Sequence, residues 1–336
     1  MKRRTILKVS SVTAAAAAMG ILPKIAWSQT RWDLANEYES GSLHAETDRV
    51  FADTLEELTG GDIRITHHTG GALGYASVDH FDAVGDGALP MADTLLTQLG
   101  GINPLFELSS LPFLVADMNE ARILWEIAQP YYDEVFRANN QMVLYASAWP
   151  PSGIWANHTV RTMDDLDGLR IRTYDANGTR TFRESVARPN QLSWSDVIPQ
   201  LQAGGIDAVL TSAEGGVAAS MWEHLRAFTE INYASPLNVG HINLMEFEAL
   251  PQDHQDAVME AAQAANDYTW ENVPRRVEQN YEELAQQDVD VETAPDDEVM
   301  EHLQQAADSV IEAWVDGAGS AAEEILNEFY DRVGRG

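Results

Sequence analysis

A guanidinium and a pair of hydroxyl groups stand at the ends of two short apolar segments in the middle of the chain. Segment 169–173 predicts a strand whose two arginines, Arg172 and the one two positions before it, share a face. A second apolar segment, 206–210, leads directly into Thr211 and Ser212. Open α/β sheets bind ligands at the carboxyl ends of their strands, so this combination suits a small polar ligand. A planar guanidinium holds a carboxylate through two parallel charge-assisted hydrogen bonds.

Further candidate ligand residues lie at the predicted exits of other strands. Aromatic rings can form walls for a cation or a flat ring, and carboxylates can neutralise an ammonium group. These additional candidates are Tyr38, Glu39, Trp149, Tyr174, Trp194, Glu214 and Asn238. Arginine more often serves in structural ion pairs and tryptophan in core packing, so the alternative for each residue is a purely structural role.

Three stretches follow one another in the middle of the chain: GLRIRT at 168–173, WSDV at 194–197 and LQAGGIDA at 201–208. In this order they resemble the central signature of the extracytoplasmic solute-binding proteins of TRAP transporters, the DctP family. The resemblance implies that Arg172 clamps a substrate carboxylate and that Trp194 contacts the ligand. Two positions depart from the family pattern. Thr211 stands where the family usually has asparagine, and segment 149–155 lacks the second basic residue often found there, which disfavours a dicarboxylate or a large acidic sugar.

Alternating strands and helices predict an α/β protein. The resemblance implies a two-lobed periplasmic-binding-protein-like fold with a hinge and a long helix that spans both lobes. We predict lobe 1 from 29–153 plus about 236–275, and lobe 2 from 154–235 plus about 276–336. The long helix is expected over 251–287, with a proline in its first turn. The apolar pattern further predicts a strand at 239–247 and another, with its exit, at 86–95.

The first residues, 1–28, have the pattern of an export signal. A positive front precedes an apolar run at 9–22 and a small-residue cleavage site. Arg3-Arg4 also resembles a twin-arginine signal, which would mean export of the folded protein; an ordinary secretory signal is the alternative. No later stretch is long enough to suggest a membrane span. We therefore predict a periplasmic protein, and the resemblance implies TRAP membrane subunits as its partners.

The charge balance after the signal is strongly acidic. All 53 acidic residues follow position 28, against 16 arginines and no lysine, so this part carries a formal charge of −37. Such a surface repels nucleic acid and anionic membranes, which argues against both as partners. The composition is typical of a halophile's hydrated surface. Cysteine is absent, which excludes disulfides and thiolate chemistry.

Solute binding, catalysis and a purely structural surface role are the three classes of function considered for this exported α/β chain. A structural surface protein is disfavoured because the sequence contains no repeats. A hydrolase needs a nucleophile, a base and an orienting acid, but G-x-S-x-G is absent and the nine histidines lack H-x-x-x-H spacing. We therefore predict a monomeric solute-binding protein, not an enzyme, with no metal and no cofactor. Its predicted ligand is a small monocarboxylate or zwitterion. The alternative is a small amine such as an amino alcohol, bound by Glu39, Glu214 and the aromatic residues, with Arg172 paired internally.

The acidic composition predicts that stability rises with salt. Self-repulsion among the −37 charges destabilises the compact state in dilute buffer, and salt shortens the screening length from about 10 Å near 0.1 M to about 3 Å near 1 M. Thermal unfolding of the chain lacking residues 1–28 should therefore show a melting temperature that increases up to molar NaCl. A melting temperature that stays flat over this range would remove the halophile interpretation.

Overall fold

The computed structural model describes residues 29–335, so the predicted export signal lies outside the described residues. Within this range eleven strands form two sheets. The strands, in chain order, are β1 Thr30–Asn36, β2 Ile63–His68, β3 Met91–Leu95, β4 Gln141–Ala148, β5 Ser152–Ala156, β6 Arg170–Thr173, β7 Arg188–Gln191, β8 Ala208–Ser212, β9 Ala227–Thr229, β10 Leu237–Asn243 and β11 Asp290–Glu292. The predicted α/β class is confirmed.

Helices surround both sheets. They are α1 Leu43–Leu58, α2 Ser77–Gly85, α3 Met118–Ala138, α4 Met163–Leu166, α5 Ala176–Glu184, α6 Trp194–Gln202, α7 Ala213–Ala218, α8 Leu244–Glu248, α9 Gln252–Gln286, α10 Asp297–Ala318 and α11 Ser320–Val333. Their starts follow local capping chemistry: Asp117 accepts from the first free N–H groups of α3, and Ser42 does so for α1. Within residues 29–335, no helix combines the length and apolar character needed to cross a bilayer.

Each sheet mixes parallel and antiparallel strands and belongs to one lobe. The sheet of lobe 1 has the order β2-β1-β3-β10-β4, in which β10 is antiparallel to both neighbours. The sheet of lobe 2 has the order β11-β9-β5-β8-β6-β7, in which β6 runs parallel to β7 and β8. Because β6 and β8 are parallel neighbours, their carboxyl ends meet at one edge, as the sequence predicted.

The chain crosses between the lobes through two segments that run side by side. One connects β4 to β5 and the other connects β9 to β10. The Trp149 N–H donates to the Pro236 carbonyl at 3.0 Å, and the Ser152 N–H donates to the Ala234 carbonyl at 2.8 Å. The two predicted crossings are therefore present and are tied to each other by backbone hydrogen bonds.

The predicted long helix is α9, which contains 35 residues. Val258 packs in the core of lobe 1, whereas Leu284 packs in the core of lobe 2. Pro274 lies inside the helix and lacks the N–H that would continue the hydrogen-bond ladder. A single helix therefore joins the cores of both lobes.

The packing departs from the expected lobe boundaries at two places. Strand β5 begins at Ser152 and pairs within the second sheet, so this sheet starts earlier in the chain than predicted. Helix α11 was expected in lobe 2, but Phe329 and Ile325 pack with Trp125 of α3 in a lobe 1 core. An amphipathic helix buries its apolar face, and its sequence does not say against which lobe.

Three elements differ from the pattern-based expectation. The strand expected at 239–247 ends at Asn243, because its side chain accepts from two N–H groups at the start of α8. In segment 86–95 only β3 is a strand. Strand β7 went unpredicted: it is a sheet edge with the polar sequence RPNQ, which carries no alternating apolar signal.

Gly240, in the centre of β10, provides a test of this packing. A Cβ at Gly240 would overlap the ring of Tyr145 on β4, which is fully buried and donates to Asp48 at 2.8 Å. We expect Gly240→Ala to lower the free energy of unfolding by about 1–3 kcal/mol through overpacking. Gly101→Ala is the matched control, because its Cβ would meet nothing within 4 Å. Urea unfolding of both variants measures the difference, and equal stability would contradict this packing.

Candidate ligand-binding site

A cavity lies between the two lobes, at the carboxyl ends of β6 and β8. Its empty volume is about 310 Å³, including its opening, which is the size of a site for a small molecule. Both lobes and both crossing segments contribute walls. The lining residues are Tyr38, Leu95, Trp149, Ser152, Arg172, Tyr174, Trp194, Thr211, Ser212 and Pro236.

Arg172 supplies the positive charge of this cavity. It is only 2% exposed, and burial lowers the pKa of its guanidinium. Its Nε donates to the Leu192 carbonyl at 3.0 Å and its Nη1 to the Leu210 carbonyl at 3.4 Å. None of the ion pairs found among residues 29–335 includes Arg172. The guanidinium is therefore positioned by backbone carbonyls and forms no ion pair with the described residues, although Glu37 and Asp175 attract it from a longer distance.

Aromatic rings form the rest of the wall around the guanidinium. The Arg172 Cζ lies 5.5 Å from the centroid of the Trp194 ring and 5.9 Å from that of Tyr174. The Tyr38 ring lies 4.9 Å from Trp149 and 6.1 Å from Trp194, measured between centroids. These contacts are within the range of cation–π and edge-to-face interactions. The cavity thus presents apolar ring surfaces beside a single cation.

Both tryptophans direct their polar N–H groups into hydrogen bonds with protein side chains. Trp149 Nε1 donates to Asn238 Oδ1 at 2.8 Å, and Trp194 Nε1 donates to Glu39 Oε1 at 3.1 Å. A buried indole N–H normally finds such a partner. These two groups are consequently engaged by the protein and leave the ring surfaces for a ligand.

The hydroxyl groups of the cavity differ in their availability. Ser212 Oγ accepts from the Gly215 N–H at 3.2 Å and so caps α7. Ser152 Oγ and Tyr174 Oη lie 3.3 Å apart in a hydrogen bond whose donor is undetermined. Thr211 makes no side-chain hydrogen bond to the described residues and lines the cavity two positions after Val209, which pairs with Arg172. Its hydroxyl is the polar group most open to a ligand.

Seven predicted ligand residues line the cavity, and three do not. Asn238 lies behind the wall, between Trp149 and Asp93. Glu39 accepts the Trp194 N–H, and Glu214 faces α1 and α9. The cavity is therefore lined by no carboxylate, so the alternative of a small amine finds no support in the site.

Three lining residues escaped the sequence analysis: Leu95, Ser152 and Pro236. Ser152 is the first residue of β5 and Pro236 directly precedes β10, so each lies where the chain crosses between the lobes. Their positions beside the predicted lobe boundaries, 153/154 and 235/236, were the available signal. Leu95 ends β3 and is the apolar counterpart of the polar residues at neighbouring strand ends.

Three carboxylates that do not line the cavity accept hydrogen bonds from the opposite lobe. Glu214 of lobe 2 is 1% exposed and accepts from the Leu43 N–H of lobe 1 at 2.7 Å. Glu37 of lobe 1 accepts from the Ser195 N–H of lobe 2 at 3.2 Å. Together with the bond from Trp194 to Glu39, three carboxylates thus accept hydrogen bonds across the cleft. Burial raises the pKa of both Glu39 and Glu214 above the usual range.

The described residues contain no group of three or more histidine, cysteine, aspartate or glutamate side chains arranged to hold a metal ion. His67 and His68, adjacent on β2, face different partners: His67 lies 2.9 Å from Asp48 and His68 lies 2.8 Å from Asp33. Each histidine is thus engaged separately within lobe 1.

The chain belongs to a family described as bacterial extracellular solute-binding protein, family 7, whose profile matches residues 35–316. It is 24% identical to the ectoine-binding periplasmic protein TeaA of Halomonas elongata, over 98% of this chain and 96% of TeaA. It is 26% identical to the 2,3-diketo-L-gulonate-binding periplasmic protein YiaO of Escherichia coli, over 78% and 81% of the two chains.

Solved structures agree with this assignment. An extracytoplasmic solute receptor of Bordetella pertussis that binds pyroglutamic acid superposes with a TM-score of 0.86 at 26% identity, covering 89% of this chain and 99% of the receptor. A pyroglutamate-specific TRAP solute-binding protein from a marine metagenome gives 0.86 at 24% identity, over 90% and 99% of the chains.

The family and the fold define this chain as a TRAP extracytoplasmic solute-binding protein for small ligands. Proteins of this kind are periplasmic receptors that work with membrane subunits and are not enzymes. The two-lobed periplasmic-binding fold predicted from the sequence is confirmed. The export route, the monomeric state and the absence of nucleic-acid binding stay predictions.

The contacts across the cleft predict that Glu214 stabilises the closed arrangement. Glu214→Gln removes the negative charge that faces the Leu43 N–H and Arg276, which lies 3.5 Å away. Hydrogen bonds to charged groups contribute about 1.5–3 kcal/mol, so the open form should gain population by about tenfold or more. Small-angle X-ray scattering of the unliganded variant should show a larger radius of gyration.

The matched control is Glu56→Gln, which removes an exposed ion pair with Arg64 inside lobe 1. This variant should scatter like the wild type, and both variants should unfold cooperatively. If Glu214→Gln has the wild-type radius of gyration, the contact between Glu214 and α1 does not hold the lobes together.

Proposed function

We propose that this chain captures a small monocarboxylate between its lobes, with the carboxylate bound to Arg172. The observation that carries this proposal is a buried guanidinium without a carboxylate partner among the described residues. Burying a charge is costly unless it is paired and hydrogen-bonded. A ligand carboxylate supplies the missing counter-charge, so the cavity is electrostatically complete only when an anion occupies it.

The hydrogen-bonding capacity of the guanidinium supports one carboxylate. Of its five N–H donors, two are used by backbone carbonyls and the remainder are free for a ligand. No second cationic side chain lines the cavity, so a second carboxylate would be buried without a partner. A monocarboxylate therefore fits this site better than a dicarboxylate.

The walls favour a compact ring attached to this carboxylate. The cavity of about 310 Å³ is bounded by Tyr38, Trp149 and Trp194, whose rings offer flat apolar surfaces. The Thr211 hydroxyl provides one uncommitted polar contact on the same side as Arg172. Pyroglutamic acid, the ligand of the Bordetella pertussis receptor, combines a carboxylate with a small neutral ring. We take a pyroglutamate-like cyclic monocarboxylate as the first candidate.

A cyclic zwitterion is the second candidate. The Halomonas elongata relative, which matches nearly the full length of this chain, is an ectoine-binding protein. Aromatic faces attract a delocalised cation without needing a carboxylate in the wall. Tyr38, Trp149 and Trp194 could receive the cationic end of such a ring while Arg172 binds its carboxylate.

Capture also involves closure of the lobes. The cavity is lined from both lobes, so a bound ligand contacts both and favours the closed form over the open form. The hydrogen bonds from Glu37, Glu39 and Glu214 across the cleft add to this preference. In this proposal the energy for transport comes from an ion gradient acting on the membrane subunits, and the receptor contributes capture.

Thermal unfolding with candidate ligands tests the proposal. Pyroglutamate, ectoine, succinate and ethanolamine should be compared at increasing concentrations with the chain lacking residues 1–28. A ligand at 100 times its dissociation constant stabilises the native state by about 2.7 kcal/mol. We expect stabilisation by pyroglutamate or ectoine, and little by succinate or ethanolamine. If no monocarboxylate stabilises the protein, the proposal fails.

Arginine substitutions test the clamp directly. We expect Arg172→Ala to weaken monocarboxylate binding by about 100-fold or more, since two charged hydrogen bonds at about 1.5–3 kcal/mol each are lost. Arg172→Lys keeps the charge but loses the fork, so binding should fall to an intermediate level. Titration calorimetry measures each dissociation constant.

Arg170→Ala provides the control on the same strand. Arg170 is exposed and pairs with Asp207, with Nε to Oδ2 at 2.7 Å, away from the cavity. Its replacement should leave the dissociation constant unchanged. Normal binding by Arg172→Ala would show that the carboxylate does not bind at this guanidinium.

A further inference from the structure

A second space lies beside the ligand cavity and shares one wall residue with it. This outer chamber has an empty volume of about 480 Å³, including its opening to solvent. Both lobes line it, through Val78, Gln98, Tyr174, Gln191, Leu192 and Ser193. Tyr174 lines the chamber and the cavity alike, so its side chain borders both spaces.

Tyr174 is held firmly in this position. The residue directly follows β6, is 4% exposed and has its hydroxyl 3.3 Å from Ser152 Oγ. Its ring centroid lies 5.9 Å from the Arg172 Cζ. The ring is thus fixed by the strand at one end and by a hydrogen bond at the other, next to the proposed carboxylate position.

The backbone next to the chamber also supports the guanidinium. The Leu192 N–H donates to the Thr173 carbonyl at 3.1 Å, and the Leu192 carbonyl accepts from Arg172 Nε at 3.0 Å. Leu192 also lines the chamber, so this one residue contacts the Arg172 guanidinium through its carbonyl and borders the chamber. Tyr174 is the residue that lines both the ligand cavity and this additional space.

The chamber has a polar but uncharged lining. Gln98 Oε1 is buried and has no hydrogen-bond partner among residues 29–335. Ser193 precedes α6 without capping it, so its hydroxyl is not engaged there. The Gln98 Oε1 atom has almost no accessible surface and so does not face the chamber, and no charged side chain lines this space. The chamber therefore suits a neutral tail.

We propose that Tyr174 sets the upper size limit of the ligand by closing the cavity against the outer chamber. In the wild type the ring confines the site to compact monocarboxylates. Without this ring the two spaces join, and the tail of a longer acid enters the chamber while its carboxylate stays on Arg172. This inference rests on the proposed function and assigns its size selectivity to one residue.

A series of N-acylglycines provides the test, because each member has one carboxylate, one amide N–H and a tail of chosen length. Titration calorimetry should compare the acetyl, butanoyl and hexanoyl compounds. With the wild type, affinity should fall as the tail lengthens. With Tyr174→Ala, the hexanoyl compound should bind at least about tenfold more tightly than it binds the wild type, since each methylene removed from water contributes up to about fourfold.

Three further variants separate the loss of the Tyr174 ring from the loss of its hydrogen bond and from a general enlargement of the cavity. Tyr174→Phe keeps the ring and loses the bond to Ser152, so the size limit should remain. Leu95→Ala enlarges the cavity at a wall that does not border the chamber, so the hexanoyl compound should gain nothing. Adding Arg172→Ala to Tyr174→Ala should abolish the affinity of the hexanoyl compound.

The outcomes distinguish this inference from the proposed function. If the wild type binds none of pyroglutamate, ectoine and acetylglycine, the proposed function fails. If it binds them but Tyr174→Ala gains no affinity for the hexanoyl compound, the size-limiting role is overturned. Should Tyr174→Ala fail to fold, the wild type alone decides: equal affinity for the acetyl and hexanoyl compounds contradicts a limit, and a steep decline that Tyr174→Phe retains supports it.

Discussion

A buried positive charge that the protein leaves without a carboxylate is the constraint on which the rest of the site depends. Backbone carbonyls of residues 192 and 210 fix the direction of the Arg172 side chain but do not neutralise it. Two stacked aromatic neighbours, Tyr174 and Trp194, lower the cost of its burial without offering an anion. Glu37 and Asp175 act on this charge from beyond ion-pair distance, so a ligand carboxylate in direct contact with the guanidinium would add the missing close partner.

The two-lobed architecture places the Arg172 charge between the lobes, where binding of a ligand can bring the lobes together. Its guanidinium belongs to lobe 2, whereas Tyr38 on the opposite wall follows β1 of lobe 1. Glu37 and Glu214 accept hydrogen bonds from N–H groups of the opposite lobe. These bonds connect the two lobes beside the cavity. Paired crossing segments and the continuous helix α9 connect the lobes behind it. Binding of an anion that contacts both lobes therefore shifts the equilibrium from the open form to the closed form.

The sequence predicted those parts of the site that depend on strand ends. Arg172 and Thr211 are the penultimate residues of β6 and β8, so the predicted strand ends located them, and the family resemblance marked Trp194. Glu214 was misplaced because it stands in the first turn of α7, where a small rotation decides which lobe a side chain faces. Ser152 was missed because it is the first residue of β5, directly after a crossing between the lobes, where strand alternation has not yet begun. Contacts between distant segments set these positions, and a single sequence carries no signal for them.

The orientation of the indole groups has a consequence for how the protein interacts with light. Trp194 directs its N–H at a carboxylate of the opposite lobe, and Trp149 directs its own at Asn238 within lobe 1. An excited indole shifts electron density from its pyrrole ring to its benzene ring, so a nearby negative charge alters its emission wavelength. Separating the lobes removes that charge from Trp194 alone. The protein therefore contains an intrinsic fluorophore whose spectrum reports lobe separation, with a second indole in the same cavity as an internal reference.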